Sequence, residues 1–119
     1  MVEKRTFLSR GGVYLARLDP VKGAEVGKLR PVAVLTAQTL LEADPPVVFI
    51  CPLSSRSDPA FAALHLELPA RDRLLRQSYA LVEHCRAISR QRILSECVAV
   101  LTPDEIGQII HRLQRMVGL

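Results

Sequence analysis

Short apolar runs make up most of the chain between Gly12 and Leu101, and each run is ended by proline, glycine or a polar cluster. Runs of this length, rich in β-branched residues and bounded by turn residues, are typical of strands rather than helices. The predicted strands cover residues 12–20, 30–36, 47–53, 64–68, 78–88 and 96–101. The run 30–36 is continuously apolar, which predicts burial on both faces, whereas 64–68 alternates and predicts a half-exposed strand.

The C-terminal segment carries the clearest helix pattern. Thr102-Pro103-Asp104-Glu105 has the residues of a capping box, with proline at the first helical position. An apolar stripe follows at helical spacing and is interpreted as core packing without chemistry: Ile106, Ile109, Ile110, Leu113 and Val117. A shorter helical turn is predicted within residues 37–44. Several short strands and one C-terminal helix together indicate a small antiparallel barrel or sandwich.

Length and composition predict one globular domain. The 119 residues suffice for a single core, 49% of them are apolar, and residues 1–9 are expected to form a short N-terminal extension. No apolar run approaches the ~20 residues of a membrane helix, and no apolar stretch follows the basic start as it would in a signal peptide. We therefore expect a cytoplasmic protein that does not contact membranes.

The cysteines and histidines have no metal-ligand spacing. Cys51, Cys85 and Cys97 are odd in number and widely separated, which indicates buried thiols of a reducing compartment. The three histidines are equally scattered, so neither a metal nor another cofactor is predicted. Phosphate-binding, dinucleotide-binding and nucleophile-elbow motifs are absent from the sequence as well. The net charge of +4 favours a polyanionic partner.

Arg30 stands between a loop with two glycines and an apolar strand. Pro31 biases Arg30 toward extended backbone, so its side chain is expected at the mouth of a strand. Ser54 closes the next strand, and antiparallel pairing places the start of one strand beside the end of its partner. Arg30 and Ser54 are therefore predicted to share one rim of the sheet, below the loop that carries Glu25 and Lys28. Two alternatives remain open: an ion pair between Arg30 and Glu25, and a simple turn at 54–59.

The order of five segments resembles the MazF/PemK-type toxins of bacterial toxin–antitoxin systems, from about Arg10 to the C-terminus. The segments are RGGVYLARLDPVKGAEVGKLRPVAVL, VFICPLSS, HLELP, QSYALVEHCRAISRQRI and LTPDEIGQIIHRLQRMVGL. The resemblance implies an SH3-like antiparallel β-barrel of the CcdB/PemK type, formed mainly of β-strands with a C-terminal helix. It also implies a homodimer that cleaves single-stranded RNA at short sequences without metal, and an acidic, partly disordered antitoxin that neutralises it.

The resemblance also assigns residues. Arg30 matches the family's catalytic arginine, Ser54 matches a hydroxyl residue that is usually threonine, and Glu25 matches the acidic loop residue. The chain departs from the family at three positions: Gly12 replaces an aspartate, Val26 replaces a glutamine, and His84 stands where glutamine is frequent. Arginine has a permanently charged planar fork suited to phosphate and is a poor general base. The general base is therefore left unassigned, with Glu25 as the nearby proton acceptor.

The remaining cations are candidates for binding RNA. We expect contacts from residues in predicted loops and strand ends, namely Lys22, Lys28, Ser55, Arg56, Arg86 and Arg90. Base stacking is limited to the few aromatic residues, such as Tyr14, Phe61 and Tyr79, of which the two tyrosines have core packing as an alternative. The apolar strands 47–53 and 96–101 are expected to supply a dimer surface.

A non-catalytic protein with the same barrel is the competing hypothesis. It would be either a binding protein like the gyrase-poisoning toxins or an inactive RNA-binding relative. The gyrase-poisoning toxins contact their target through the C-terminal helix and an aromatic tail. This chain contains no tryptophan, ends in Arg115-Met116-Val117-Gly118-Leu119, and carries the Arg30-Pro31 motif. The sequence therefore favours the ribonuclease.

Overall fold

A computed structural model describes residues 7–119. It contains seven strands, two α-helices and three 3₁₀ turns. The strands are β1 (Gly12–Arg17), β2 (Leu29–Val34), β3 (Val47–Ser54), β4 (His65–Leu68), β5 (Ser78–Leu81), β6 (Arg86–Ser89) and β7 (Ala99–Val100). The helices are α1 (Gln38–Leu41) and α2 (Pro103–Met116), and the 3₁₀ turns are Pro59–Leu64, Val82–His84 and Arg90–Arg92. Residues 1–6 of the expected N-terminal extension lie outside the described residues.

All strands join one antiparallel sheet in the order β4-β5-β3-β2-β1-β7. Strand β3 is the longest and pairs with β2 along one edge. Its other edge is divided, because residues 47–50 pair with β6 and residues 53–54 pair with β5. The sheet thereby curls into a half-barrel against α2, which confirms the predicted mainly β fold with a C-terminal helix. Neither helix within residues 7–119 has the length and apolar character required to cross a membrane.

Two clusters of buried side chains pack on the two faces of the sheet. Ala33 belongs to the cluster beneath α2, whereas its neighbours Val32 and Val34 belong to the cluster on the opposite face. All three side chains are fully buried. The prediction that this run is buried on both faces is therefore confirmed, because β2 is an interior strand with apolar side chains on each face.

Helix α2 begins as the sequence predicts. The Thr102 hydroxyl accepts a hydrogen bond from the Glu105 N–H, and the Glu105 carboxylate accepts one from the Thr102 N–H. Ile109 is fully buried, and Ile106, Ile110 and Leu113 pack around it. Val117 is exposed, so its assignment to the apolar stripe is wrong; it is the C-cap residue, one position past Met116, the last residue of the helix.

Two predicted strands differ in extent. The run 78–88 is two strands, β5 and β6, separated by the Val82–His84 turn. That turn directs the Glu83 carboxylate to the buried imidazole of His65, a contact that continuous strand geometry would not provide. The run 96–101 has regular pairing only at Ala99–Val100, because the preceding residues form isolated hydrogen bonds such as Val98 N–H to the Val13 carbonyl at 2.8 Å.

Candidate active site

Hydrogen bonds at the base of the loop between β1 and β2 hold Arg30 in place. The Leu18 N–H donates to the Lys28 carbonyl, and the Lys28 N–H donates to Asp19 Oδ1, each at 2.9 Å. A Cβ atom at Gly27 would clash with Asp19 Oδ1, so a larger residue there would displace the carboxylate that accepts the Lys28 N–H. The Gly27 carbonyl in turn accepts a hydrogen bond from Arg30 Nε at 2.8 Å. The loop therefore binds the Nε of Arg30, and the two terminal guanidinium nitrogens of Arg30 remain for a ligand.

Arg30 and Ser54 lie side by side, as predicted. Residues 32 and 52, 33 and 51, and 34 and 50 are partners in the β2–β3 register, so two further steps place Arg30 opposite Ser54. Both side chains are half-buried and line one cleft of about 500 Å³. We name it the Arg30 cleft. The Ser54 hydroxyl accepts a hydrogen bond from the Arg56 N–H at 3.1 Å, which starts the turn that was one predicted alternative for this segment.

The Arg30 cleft is strongly basic. Lys28, Arg73 and Arg76 line it together with Arg30, and its apolar lining includes two exposed leucines, Leu29 at 48% and Leu75 at 82%. Within residues 7–119, no carboxylate or imidazole is among its lining side chains. A groove of cations with no acidic neighbour is suited to a polyanion. The cleft therefore has the charge expected for binding a phosphodiester chain.

Sequence reasoning missed Arg73 and Arg76. The available pattern was three arginines within residues 71–76, between β4 and β5, but the distance from Arg30 along the chain concealed their relation to it. The Arg73 N–H donates to the Val98 carbonyl at 3.0 Å, and its guanidinium also donates to the Cys97 carbonyl. These bonds attach the segment to the strand-like residues before β7 and bring its cations to the cleft.

Glu25 lies apart from Arg30 and Ser54. It is exposed, and its Oε1 accepts a hydrogen bond from the Lys22 N–H at 2.6 Å within the β1–β2 loop. Together with Val26, His84 and Arg86 it lines a separate cavity of about 160 Å³, the Glu25 pocket. None of the ion pairs among residues 7–119 includes Glu25 or Arg30, so the alternative of an ion pair between them is wrong.

The other predicted RNA-binding residues are dispersed. Lys28 and Ser55 line the Arg30 cleft, Arg86 lines the Glu25 pocket, and Lys22 is exposed in the loop. Arg90 is removed from all of these, because its Nε lies 3.2 Å from Asp44 Oδ1 at a different cavity beside Pro45. The structure thus brings part of the predicted set together and leaves Arg90 outside it.

A further cavity of about 330 Å³ lies beyond the Ser54 turn. Arg56, Phe61, Leu81, His65, Glu83 and His84 are among its lining residues, and we name it the Phe61 pocket. His65 is buried there, which corrects the prediction of a half-exposed strand at 64–68. Its Nε2 lies 2.7 Å from Glu83 Oε2, and its Nδ1 lies 2.7 Å from the Ser57 hydroxyl. Burial is stable because both ring nitrogens have partners.

The three cysteines pack in or against the hydrophobic core. All three are free thiols, with Cys51 fully buried and Cys85 half-buried against the same cluster. The adjacent Cys85 thiol and burial both raise the pKa of Cys51 well above its ordinary value, so Cys51 stays protonated and unreactive at neutral pH. Among residues 7–119, no group of three or more His, Cys, Asp or Glu side chains is arranged to hold a metal ion.

Comparisons with known proteins give the family. Residues 9–117 match the model of the PemK-like, MazF-like toxins of type II toxin–antitoxin systems. A crystal structure of MazF from Deinococcus radiodurans superposes with a TM-score of 0.83 at 23% identity, covering 97% of this chain and 100% of that one. The MazF-mt6 toxin of Mycobacterium tuberculosis gives 0.73 at 17% identity, with coverages of 91% and 97%. A mycobacterial endoribonuclease bound to its cognate antitoxin gives 0.70 at 15% identity, with 97% of each chain covered.

Proposed function

The chain belongs to the PemK-like, MazF-like family of type II toxin–antitoxin toxins, and from that premise we propose that it is a metal-independent endoribonuclease acting on single-stranded RNA. The observation that carries the proposal is the pairing of Arg30 and Ser54 across β2 and β3 in a cleft lined only by neutral and cationic side chains among the described residues. The mycobacterial relative described as an endoribonuclease supports it through a shared fold.

RNA supplies its own nucleophile in the proposed reaction. The 2′-oxygen forms a bond to phosphorus while the bond from phosphorus to the 5′-oxygen breaks. The 2′-hydroxyl loses a proton and the 5′-oxygen gains one, which leaves a 2′,3′-cyclic phosphate and a 5′-hydroxyl. The protein therefore has to position the phosphate and stabilise the negative charge that develops on its oxygens.

Arg30 fits the charge-stabilising role. Its terminal nitrogens form a planar fork that can donate to two phosphate oxygens at once, and its Nε is held by the Gly27 carbonyl. A single preorganised donor of this kind contributes about 3 kcal/mol in other enzymes. Ser54 is placed to donate its hydroxyl proton to a phosphate oxygen or to orient the 2′-hydroxyl. Arg73, Arg76 and Lys28 hold the neighbouring phosphates.

The residue that accepts the proton of the 2′-hydroxyl is not among those that line the Arg30 cleft. Glu25 is in the adjacent Glu25 pocket and is bonded to the Lys22 N–H. It reaches the 2′-hydroxyl only after the loop 20–28 moves. Glu25 is accordingly proposed first as the residue that closes the loop, and as a base only in an RNA-bound arrangement.

The proposed partners are an acidic antitoxin and a second copy of the chain. The similar structures include toxin–antitoxin complexes, among them MazE–MazF from D. radiodurans and the mycobacterial endoribonuclease with its antitoxin. An acidic segment would bind the same cations as RNA. For the homodimer, the expected surface on strand 47–53 needs revision, because all of its residues except Val47 and Phe49 are buried within the single chain.

The test is cleavage of a single-stranded RNA in the presence of EDTA, with analysis of the product ends. We expect unchanged cleavage, a 2′,3′-cyclic phosphate and a 5′-hydroxyl. Loss of activity in EDTA or 5′-phosphate ends would contradict the mechanism. An Arg30→Ala variant that cleaves at the wild-type rate with an unchanged melting temperature would contradict the site. For the wild-type protein, sequencing of the 5′ ends of the products would identify the cleavage motif.

A further inference from the structure

The Phe61 pocket is separated from the Arg30 cleft by a single turn of chain. Ser54 and Ser55 line the cleft, and the next residue, Arg56, lines the pocket. Consecutive Cα atoms are about 3.8 Å apart, so the two cavities adjoin. An RNA strand with one phosphate at Arg30 would therefore bring a neighbouring base to the mouth of the pocket.

The pocket has the aromatic surface that an unstacked base requires. Tyr14 is 1% exposed, so it belongs to the core, whereas Phe61 is 45% exposed and faces the cavity. Leu81 adds apolar surface and Arg56 adds a guanidinium at the wall. Single-stranded RNA is commonly bound by stacking a base on an aromatic ring or a guanidinium plane. The volume of about 330 Å³ is suited to one base rather than a longer ligand.

Polar groups in the pocket are fixed in position. His65 Nε2 lies 2.7 and 2.9 Å from the two Glu83 carboxylate oxygens, and its Nδ1 is engaged by Ser57. Glu83 is thus oriented by a buried neighbour, and its carboxylate retains free lone pairs for further donors. His84 also lines the pocket and has no hydrogen bond with residues 7–119, so its ring nitrogens are available.

We propose that the Phe61 pocket binds one unstacked nucleobase next to the scissile phosphate and favours bases that carry an amino group over uracil. Stacking on Phe61 provides affinity. The Glu83 carboxylate accepts hydrogen bonds from the exocyclic amino groups of adenine, cytosine and guanine. Uracil has no amino group, and its single ring N3–H stands between two carbonyl oxygens that repel a carboxylate. Glu83 and His84 would then be specificity-determining residues. This inference rests on the proposed RNA cleavage.

The experiment has a cleavage arm and a binding arm. The first sequences the 5′-hydroxyl ends from a randomised RNA. The second measures binding of short 2′-O-methyl oligonucleotides, which cannot be cleaved, with each of the four bases in turn. We expect wild-type protein to disfavour uracil at one position beside the cut. Phe61→Ala should lower kcat/KM and affinity by about tenfold or more. His84→Ala should flatten the preference at that same position.

Phe7→Ala is the matched control, because Phe7 is 81% exposed and lines neither the Arg30 cleft nor the Phe61 pocket. If Phe61→Ala cleaves RNA at the same rate and with the same base preference as Phe7→Ala, the proposed base subsite is wrong, whereas the proposed nuclease activity stands. The same result with weakened binding of an acidic antitoxin peptide would make the cavity a peptide pocket. If the wild type does not cleave but binds oligonucleotides with a preference that Phe61→Ala abolishes, the nuclease fails and the subsite stands.

Discussion

At the scale of residues, the Arg30 side chain is defined by its attachment as much as by its charge. Two hydrogen bonds fix the direction of the guanidinium: Arg30 Nε donates to the Gly27 carbonyl, and the Lys28 N–H donates to Asp19 at the base of the same loop. The missing Cβ of Gly27 leaves room for the Asp19 carboxylate that closes the loop. The family's aspartate is replaced by Gly12, where the Tyr14 ring occupies the space of a Cβ. Gly12 pairs with Val100, far along β1 from Ala16, the partner of Arg30, so this departure does not alter the cleft.

Replacing Arg30 by lysine tests the fork. Arg30→Lys keeps the charge but removes Nε and the planar pair of donors, so most of the cleavage activity should be lost while the fold is retained. Ser54→Ala should cost less, because a neutral hydroxyl forms a weaker hydrogen bond than a charged group. The measurement is kcat/KM on one RNA substrate. Wild-type activity in Arg30→Lys would show that a point charge suffices.

Glu25→Ala distinguishes loop closure from proton transfer. If Glu25 only accepts the Lys22 N–H, its removal should lower activity modestly and leave the slope of the pH–rate profile unchanged. Glu42→Ala, a change at another exposed carboxylate outside the cavities, is the control. A loss as large as that of Arg30→Ala, with a changed acidic limb of the profile, would make Glu25 the base in the RNA-bound enzyme.

At the scale of elements, helix α2 packs on the sheet through its apolar face and is joined to the segment between β4 and β5 by an ion pair. The Arg71 guanidinium donates to both Glu105 oxygens, at 2.5 and 2.6 Å, and Glu105 is also the capping-box residue of α2. Both side chains are less than one-fifth exposed. Arg71 belongs to the segment that delivers Arg73 and Arg76 to the Arg30 cleft, so this contact connects the helix N-terminus to the site.

The ion pair makes stability depend on pH. Hydrogen bonding to Arg71 holds the pKa of Glu105 below its ordinary value of 4.5. The stabilisation is therefore complete above pH 4.5 and is lost as the pH falls through the lower folded-state pKa. Glu105→Gln keeps a capping amide but removes the charge, and it should cost about 1–2 kcal/mol in the free energy of unfolding at pH 7. The difference from wild type should shrink with acid.

Urea unfolding at pH 7 and at pH 3 measures this effect. Glu96→Gln is the control, since Glu96 is exposed and belongs to none of the ion pairs among residues 7–119. An equal loss at both pH values would contradict an ionic contribution.

At the scale of the whole molecule, one loop links the Arg30 cleft to the Glu25 and Phe61 pockets. The β1–β2 loop contributes a residue to each of the three cavities, with Lys28 in the Arg30 cleft, Ala24 in the Phe61 pocket and Glu25 in its own pocket. RNA and an acidic peptide would therefore meet the same surface.

The dimer remains a prediction, for which light scattering at micromolar concentration should give twice the mass of one chain.

Competition between the two polyanions tests this shared surface. An acidic antitoxin peptide should displace a fluorescent 2′-O-methyl RNA from the wild-type protein, because both require the cations of the Arg30 cleft. Arg76→Ala should weaken both ligands, and Arg115→Ala, at the distant end of α2, should weaken neither. Simultaneous binding of RNA and peptide without competition would show that the antitoxin acts from another surface.

The sequence by itself determined most of the strands, the capped helix and the rim that Arg30 and Ser54 share. These follow from local rules: apolar periodicity, the capping box, and the antiparallel pairing of strands that are close in the chain. Only the tertiary structure decided that Arg73 and Arg76 join this rim, that Glu25 lies in a different cavity, and that His65 turns inward to Glu83. Each of these depends on contacts between distant segments, where burial and hydrogen bonding outweigh local pattern.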